Sequence, residues 1–226
     1  MLEQAMRTLL IDLDGTLVDP AAGILAACQY ALEKLGFRAP EAAELHWIIG
    51  PSLRSSLQQL LGPKGDAEEG LRLYREHYAA GGLFNATVYE GVETALDELQ
   101  DGGTTLYVCT AKPTAFATRI IDHFGLSRHF SSIYGAELTG RFDNKSELIA
   151  HMIATEGFEA RHAYMVGDRS HDVIAAAAHG IPTLGALWGY GGYDELASAG
   201  AVTIVDRPAS LPAAVASLCE SQAAKA

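Results

Sequence analysis

The sequence predicts an α/β fold, in which strands of a parallel sheet alternate with helices. Short runs rich in β-branched residues recur along the 226 residues, and each is followed by a polar or glycine-rich cluster and then by a helical pattern. More than ninety residues separate the first two runs, far beyond an ordinary loop. We therefore expect one parallel sheet with right-handed crossovers and a large insertion after its first strand. The predicted strands span residues 8–11, 105–109, 131–134, 163–166, 183–187 and 201–205.

The insertion has the pattern of helices. Asp19 followed by Pro20 is typical of an N-cap and a first-turn proline, and apolar residues then recur at helical spacing until Gly36. Glycine and proline residues separate the next segments from one another. Further helices are predicted over residues 40–49, 52–61 and 67–80.

These patterns divide the chain into two predicted domains. Residues 1–16 and 90–226 form an α/β core domain, and residues 17–89 form an α-helical cap domain, which we call the cap. Because the cap follows the first strand, we expect it to cover the strand ends, to select the substrate and to exclude water when it closes.

Composition excludes several classes of protein. With 49% hydrophobic residues and a mean hydropathy of +0.09, the chain is typical of a soluble globular protein and not of a disordered one. Its formal charge of −12 argues against a nucleic acid polymer or an anionic membrane as a partner. Neither a secretory signal nor a membrane span is expected, and three widely spaced cysteines fit a reducing compartment, so we expect a cytoplasmic protein.

Two aspartates end the first predicted strand, in the run Asp12-Leu13-Asp14-Gly15-Thr16. A turn at Gly15 would allow both carboxylates to reach one site, where one could attack as a nucleophile and the other transfer protons. Asp and Gly are also ordinary turn residues, so a turn without chemistry is the alternative.

Two further aspartates follow the strand predicted at residues 163–166. With Asp12 and Asp14, Asp168 and Asp172 would place four carboxylates at the carboxyl ends of two strands, where ligands of open α/β sheets bind. Hard oxygen ligands favour Mg²⁺, and clustered carboxylates would repel one another without a cation. The alternative is that these acids only complement a helix dipole.

The second predicted strand leads into Thr110, Ala111 and Lys112. A hydroxyl and a free backbone N–H at a helix start can bind phosphate, although threonine is also a common N-cap. Lys112 and the cap residue Arg54 are candidates for substrate contact, with an exposed surface charge as the alternative for each. Lys145, taken by itself, has the character of a solvated charge.

The ordered motifs DLDGT, CTAKP, Lys145 and GDRSHD, on successive strand ends with a helical insertion after the first, resemble the haloacid dehalogenase (HAD) superfamily of phosphohydrolases. The resemblance runs from about residue 6 to residue 205. The runs YEGVETALDELQDGG, CTAKP and GDRSHD are similar to the phosphoglycolate phosphatase branch, especially its 5′-nucleotidase-like neighbours. The resemblance implies a Rossmann-like parallel sheet core with an inserted α-helical cap.

The resemblance also implies roles for individual residues. Asp12 would be the nucleophile that forms an aspartyl-phosphate, and Asp14 the general acid/base. Lys145 would neutralise charge beside Asp12, while Thr110 and the N–H of Ala111 would hold the phosphoryl oxygens. Ala111 itself departs from the serine or asparagine often found at that position.

Mg²⁺ is the implied cofactor. Asp168 would bind it together with the Asp12 carboxylate and the Asp14 carbonyl oxygen, and Asp172 would bind or orient it. An aspartate at position 14 favours a phosphatase or a phosphomutase. The dehalogenases and phosphotransferring pumps that resemble this fold carry no aspartate at the corresponding position.

We therefore predict a Mg²⁺-dependent phosphomonoesterase, monomeric or homodimeric, that acts on a small phosphorylated metabolite. Phosphoglycolate and a nucleoside 5′-monophosphate are the expected substrates. The alternatives are a sugar phosphomutase of the same superfamily and a non-catalytic binding protein that keeps the fold.

Overall fold

A computed structural model describes residues 7–223, so the ends of the predicted core, residues 1–6 and 224–226, lie outside the described residues. A six-stranded sheet and a two-stranded ribbon are present in that range. In chain order the strands are β1 (Arg7–Ile11), β2 (Val18–Asp19), β3 (Thr87–Val88), β4 (Thr104–Pro113), β5 (Ser132–Ala136), β6 (Ala163–Gly167), β7 (Thr183–Ala186) and β8 (Thr203–Val205).

The large sheet has the order β5-β4-β1-β6-β7-β8, and all of its neighbouring strands are parallel. The predicted α/β class is therefore confirmed. From β1 the chain builds outward in one direction through β4 and β5 and in the other through β6, β7 and β8. This change of direction opens a crevice at the carboxyl end of β1, the usual ligand site of such sheets.

Strand β1 lies at the centre because it is apolar on both faces, as a parallel sheet covered by helices requires. Leu9 and Leu10 alternate across the strand and both are fully buried. Leu9 belongs to an apolar cluster that continues into the cap, and Leu10 to a second cluster on the opposite face. The buried strand thus carries Asp12, the next residue after its end, into the interior.

The segment between β2 and β3 is helical, as predicted for the cap. Its two ends pair as an antiparallel ribbon, Val18 with Val88 and Asp19 with Thr87, so the chain leaves and re-enters the core side by side. The α-helices between them are α1 (Ala21–Lys34), α2 (Leu53–Leu61) and α3 (Ala67–Ala80).

Two details of the cap differ from expectation. Helix α1 begins one residue later than predicted, at Ala21, whose N–H donates to the Asp19 carboxylate at 3.0 Å. The segment predicted at residues 40–49 is a 3₁₀-helix, Ala42–Ile48. Its buried residues Leu45 and Ile48 lie three positions apart, which is the period of a 3₁₀-helix.

Helices pack on both faces of the large sheet and complete the core. Strand β4 is longer than predicted because Thr110 and Pro113 pair with Gly135 and Ala136 across an irregular register. The remaining α-helices are α4 (Val92–Asp101), α5 (Thr114–His123), α6 (Lys145–Glu156), α7 (Ser170–Ala177), α8 (Tyr193–Ala199) and α9 (Leu211–Ala223).

A glycine in α1 provides a test of cap packing. A Cβ on Gly23 would lie 2.0 Å from the backbone oxygen of Gly82, so Gly23→Ala must push two backbone segments apart. Overpacking of this kind costs about 1–3 kcal/mol, which exceeds the gain of about 1 kcal/mol in helix propensity. We expect Gly23→Ala to lower the free energy of unfolding, measured by urea denaturation.

Gly70→Ala in α3 is the matched control. A Cβ there would meet the ends of the Leu61 and Leu35 side chains, at 3.1 and 3.4 Å, which can move. Its cost should be clearly smaller, and equal stability of the two variants would contradict the packing described for α1.

Candidate active site

Charged side chains converge under the cap at the carboxyl ends of β1, β4 and β6. Asp12 and Asp14 follow β1, Lys112 lies in the irregular end of β4, and Asp168 follows β6. Helices α6 and α7 add their first turns from the side. All six ionisable side chains of this site are buried: Asp12, Asp14, Lys112, Lys145, Asp168 and Asp172.

Lys145 lies beside Asp12. Its Nζ donates to Asp12 Oδ1 at 3.0 Å and also to Asp172 Oδ1. Asn144 fixes the start of α6 by accepting the Ser146 N–H at 2.9 Å. Burial alone would lower the pKa of Lys145, but Asp12 and Asp172 outweigh burial and raise it. Lys145 is therefore a cation in the interior beside Asp12, and not the solvated charge that a lysine taken by itself suggests.

Three carboxylates form a compact cluster around this cation. One oxygen each from Asp12, Asp168 and Asp172 lies within 4.8 Å of the others. Backbone amides orient two of them: Tyr190 N–H donates to Asp168 at 2.7 Å, and Arg169 N–H donates to Asp172 at 3.1 Å.

Two carboxyl groups of the cluster have raised pKa values, because nearby positive charge does not offset their burial. Burial raises the pKa of Asp12 to about 7, with Lys145 opposing the rise and Asp172 and Asp14 adding to it. Burial also raises the pKa of Asp168 well above its ordinary value, and Asp172 and Asp12 add to this. A divalent cation would favour the ionised forms, and three hard carboxylate donors fit Mg²⁺. The residues present therefore fit the predicted metal.

Gly15 allows the two strand ends to approach. Its φ is +84°, a conformation that favours glycine, and a Cβ at this position would lie 2.2 Å from Asp168 Oδ2. Glycine in DLDGT is thus needed for the turn and for the contact with the second aspartate motif.

Asp14 has a different partner from the metal cluster. Lys112 Nζ lies 2.9 Å from Asp14 Oδ1 and 2.8 Å from Asp14 Oδ2, and it also donates to the Tyr78 hydroxyl at 2.8 Å. Burial alone would lower the pKa of Lys112, but Asp14 and Tyr78 outweigh burial and raise it. The predicted substrate contact Lys112 is therefore bound to a core aspartate and to a cap tyrosine.

The remaining predicted residues line a cavity between the cap and the sheet. Thr110, Ala111 and Arg54 border it together with Asp12 and Asp14. The Arg54 Nε donates to Asp143 at 3.1 Å, and its guanidinium also pairs with Glu68. The other walls are mostly apolar and come from Ile24, Leu53, Leu71, Tyr74, Tyr78 and Phe116.

Two site features were not predicted from the sequence. The loop after β7 covers the cluster: Trp188 Nε1 donates to the Thr16 carbonyl oxygen at 3.0 Å, and the Tyr190 hydroxyl donates to Asp19. A Cβ on Gly189 would lie 2.4 Å from Asp168 Cβ, so this loop passes directly over the metal cluster. Aromatic residues spaced by glycines directly after a strand are the signal that could have indicated it.

The second unpredicted feature is Arg169, the residue after Asp168. Its Nε donates to Glu195 at 3.0 Å in the core, and its Nη1 donates to the Ile49 carbonyl oxygen at 2.5 Å in the cap. Arg169 therefore joins the carboxylate cluster to the cap.

A parallel sheet of this order, with a helical insertion over buried aspartates at its carboxyl edge, defines an α/β protein with a capped carboxylate site. The chain belongs to the haloacid dehalogenase-like hydrolase family, whose profile matches residues 9–186. The family predicted from the four motifs is therefore confirmed.

Individual relatives agree with this assignment. The chain is 42% identical over 199 residues to a 5′-nucleotidase of Pseudomonas aeruginosa, covering 87% of this chain and 90% of the relative. It is 32% identical over 209 residues to the plasmid phosphoglycolate phosphatase of Cupriavidus necator, covering 90% of each. A crystal structure of a predicted phosphatase from Clostridium acetobutylicum, 34% identical, superposes with a TM-score of 0.90 over 95% of this chain and 100% of that one.

Another relative carries a different name. The chain is 38% identical over 191 residues to the tyrosine-protein kinase PtkA of Mycobacterium tuberculosis, covering 84% of this chain and 65% of the kinase. This chain thus spans about two thirds of that protein.

Within residues 7–223, no helix has the length and apolar character that crossing a membrane requires.

The raised pKa of Asp12 predicts a pH-dependent stability of the metal-free protein. A carboxyl whose pKa rises from 3.8 to about 7 on folding stabilises the fold fully below pH 3.8, and the stabilisation is lost as the pH rises to about 7. Asp12→Asn cannot ionise. In a chelator, we expect this variant to be more stable than the wild type at pH 8, by at most about 4 kcal/mol.

The difference should shrink between pH 8 and pH 5, because wild-type Asp12 then becomes protonated. Urea denaturation of both proteins at the two pH values measures it. A difference that is the same at both would contradict the burial of an ionisable Asp12.

Proposed function

We propose that the protein is a Mg²⁺-dependent phosphoric monoester hydrolase that acts through an aspartyl-phosphate on Asp12. The observation that carries this proposal is the contact of a buried Asp12 carboxylate with Lys145, at a cavity floor flanked by Asp168 and Asp172. The names of the relatives, a 5′-nucleotidase and a phosphoglycolate phosphatase, support it.

The reaction divides into two displacements at phosphorus. In the first, an Asp12 oxygen attacks the phosphoryl group, the bond to the leaving oxygen breaks, and Asp14 gives that oxygen a proton. In the second, water attacks the aspartyl-phosphate, Asp14 accepts the water proton, and phosphate leaves with Asp12 restored as a carboxylate. Most of the rate enhancement would come from positioning and charge neutralisation.

Lys145 and the metal would both neutralise negative charge at the site. Asp12, Asp168 and Asp172 would hold Mg²⁺ with the Asp14 carbonyl oxygen. When bound, the cation supplies the positive charge that lets a carboxylate approach a phosphate dianion. Lys145 holds Asp12 in place from the opposite side, while Thr110 and the Ala111 N–H bind phosphoryl oxygens.

The substrate is a small phosphorylated metabolite, either phosphoglycolate or a nucleoside 5′-monophosphate. Aromatic and aliphatic side chains from the cap, such as Tyr74 and Leu71, form the wall that the leaving group would contact. Arg54 lies at the same cavity, and Asp143 and Glu68 already compensate its charge. Arg54 therefore suits a polar leaving group better than it suits a second anion.

We also place the enzyme in the cytoplasm. Cys28, Cys109 and Cys219 are all free thiols, and the first two are buried. Free, unpaired cysteines are typical of a reducing compartment.

A phosphate-release screen tests the proposed function. Wild-type protein is assayed with 4-nitrophenyl phosphate, phosphoglycolate, nucleoside 5′-monophosphates and sugar phosphates, with Mg²⁺ or with a chelator. We expect phosphate release to water that needs Mg²⁺ and that Asp12→Asn abolishes. Phosphate that stays on the sugar in place of release would identify a phosphomutase, and no turnover of any compound would favour a non-catalytic binding protein.

Asp194→Asn is the matched control for this screen, because it removes the same charge from an exposed position at the start of α8. It should keep wild-type activity. Full activity in Asp12→Asn would exclude the aspartyl-phosphate.

The role of Asp14 predicts a trapped intermediate. Asp14→Asn cannot accept a proton from the attacking water, so the second displacement should slow more than the first for a substrate with a good leaving group. We expect turnover of 4-nitrophenyl phosphate to fall about 10²–10⁴-fold, with phosphate bound covalently to the protein after rapid acid quench. Unchanged turnover, or slow turnover without covalent phosphate, would contradict this role.

A further inference from the structure

The acid/base aspartate is held by a chain of contacts that ends in the cap. Lys112 Nζ contacts both carboxylate oxygens of Asp14 and the hydroxyl of Tyr78, all at 2.8–2.9 Å. An ammonium group has three N–H donors, and two of them donate to Asp14 Oδ1 and to the Tyr78 hydroxyl, with Asp14 Oδ2 at ion-pair distance.

These three groups lie in the interior, where water cannot replace a lost partner. Tyr78 is 1% exposed, and Lys112 and Asp14 are each 8% exposed. Leaving a buried charge without its hydrogen bonds is costly, so the loss of either contact of Lys112 is energetically unfavourable. Double contact through Oδ1 and Oδ2 also fixes the rotation of the Asp14 carboxylate.

The two ends of this series of contacts, Asp14 and Tyr78, belong to different parts of the molecule. Lys112 and Asp14 lie on the strand ends of the core, whereas Tyr78 lies on α3 of the cap. Aromatic contacts hold the Tyr78 ring: it stacks on Tyr74 at 5.3 Å between centroids and meets Phe116 edge-on at 5.9 Å. The hydroxyl therefore reaches Lys112 only when α3 packs over the sheet.

From this geometry we propose that Tyr78 is a positioning residue, which acts through Lys112 to aim the Asp14 carboxylate while the cap is closed. The inference rests on the function proposed above, since it assigns Asp14 the proton transfer. Closure of the cap would then do more than exclude water: it completes the set of contacts that orients the acid/base.

Leaving-group dependence tests the proposal. Two aryl phosphates of similar shape differ in how far they need a general acid: phenyl phosphate has a poor leaving group and 4-nitrophenyl phosphate a good one. We expect Tyr78→Phe to lower kcat/KM for phenyl phosphate about tenfold more than for 4-nitrophenyl phosphate, because only the first requires an aligned Asp14 for departure of the leaving group. Thermal unfolding of the variant checks that it folds.

Tyr30→Phe is the matched control. Tyr30 lies on α1 of the cap and stacks on His77 at 4.4 Å between ring centroids, and it is not among the residues that line the cavity. It should leave kcat/KM for both substrates unchanged. An equal effect of Tyr78→Phe on both substrates, or no effect, would overturn the proposal.

A double-mutant cycle separates the proposed pathway from a direct effect of Tyr78 on the substrate. Lys112→Met should show the same selective loss, and adding Tyr78→Phe to it should cause no further selective loss, since the link is already broken. Additive selective losses would mean that Tyr78 does not act through Lys112. If wild-type protein hydrolyses neither aryl phosphate, the proposed function fails instead, which distinguishes the two failures.

Discussion

The central constraint on this structure is that three carboxylates lie close together in the interior, away from water. One carboxylate oxygen each of Asp12, Asp168 and Asp172 lies within 4.8 Å of the others, and burial raises the pKa values of Asp12 and Asp168. Lys145 compensates part of this charge, and the divalent cation that we propose for the site would compensate the rest.

The fold divides the charged residues into two groups with different tasks. On one side, Lys145 contacts both Asp12 and Asp172. On the other, Lys112 holds Asp14, away from the carboxylates of the metal cluster. Strand β1 supplies one aspartate to each group from positions two residues apart, because the chain turns at Gly15 directly after the strand. Asp12 and Asp14, the proposed nucleophile and acid/base, are therefore two residues apart in sequence and still have separate environments.

The cap is joined to this charged centre as well as covering it. Arg169, next to Asp168, donates to the Ile49 carbonyl oxygen of the cap, and Lys112, beside Asp14, donates to the Tyr78 hydroxyl of the cap. Each of the two groups of charged residues is thus joined to the cap by a hydrogen bond. Under the proposed mechanism, these contacts would couple the position of the cap to the acid/base and to the carboxylate cluster, in addition to its effect on solvent access.

Local periodicity and the residues that directly follow strands were enough to predict the fold class and the helical insertion, and they marked Asp12, Asp14 and Asp168 as candidates for one site. Long-range contacts have no local signal, because they depend on packing between distant segments: the contact of Lys112 with Asp14 joins positions 98 apart, and that of Trp188 with Thr16 joins positions 172 apart. A lysine in isolation resembles a solvated charge, and it becomes a buried counter-ion only where packing excludes water and places carboxylates beside it.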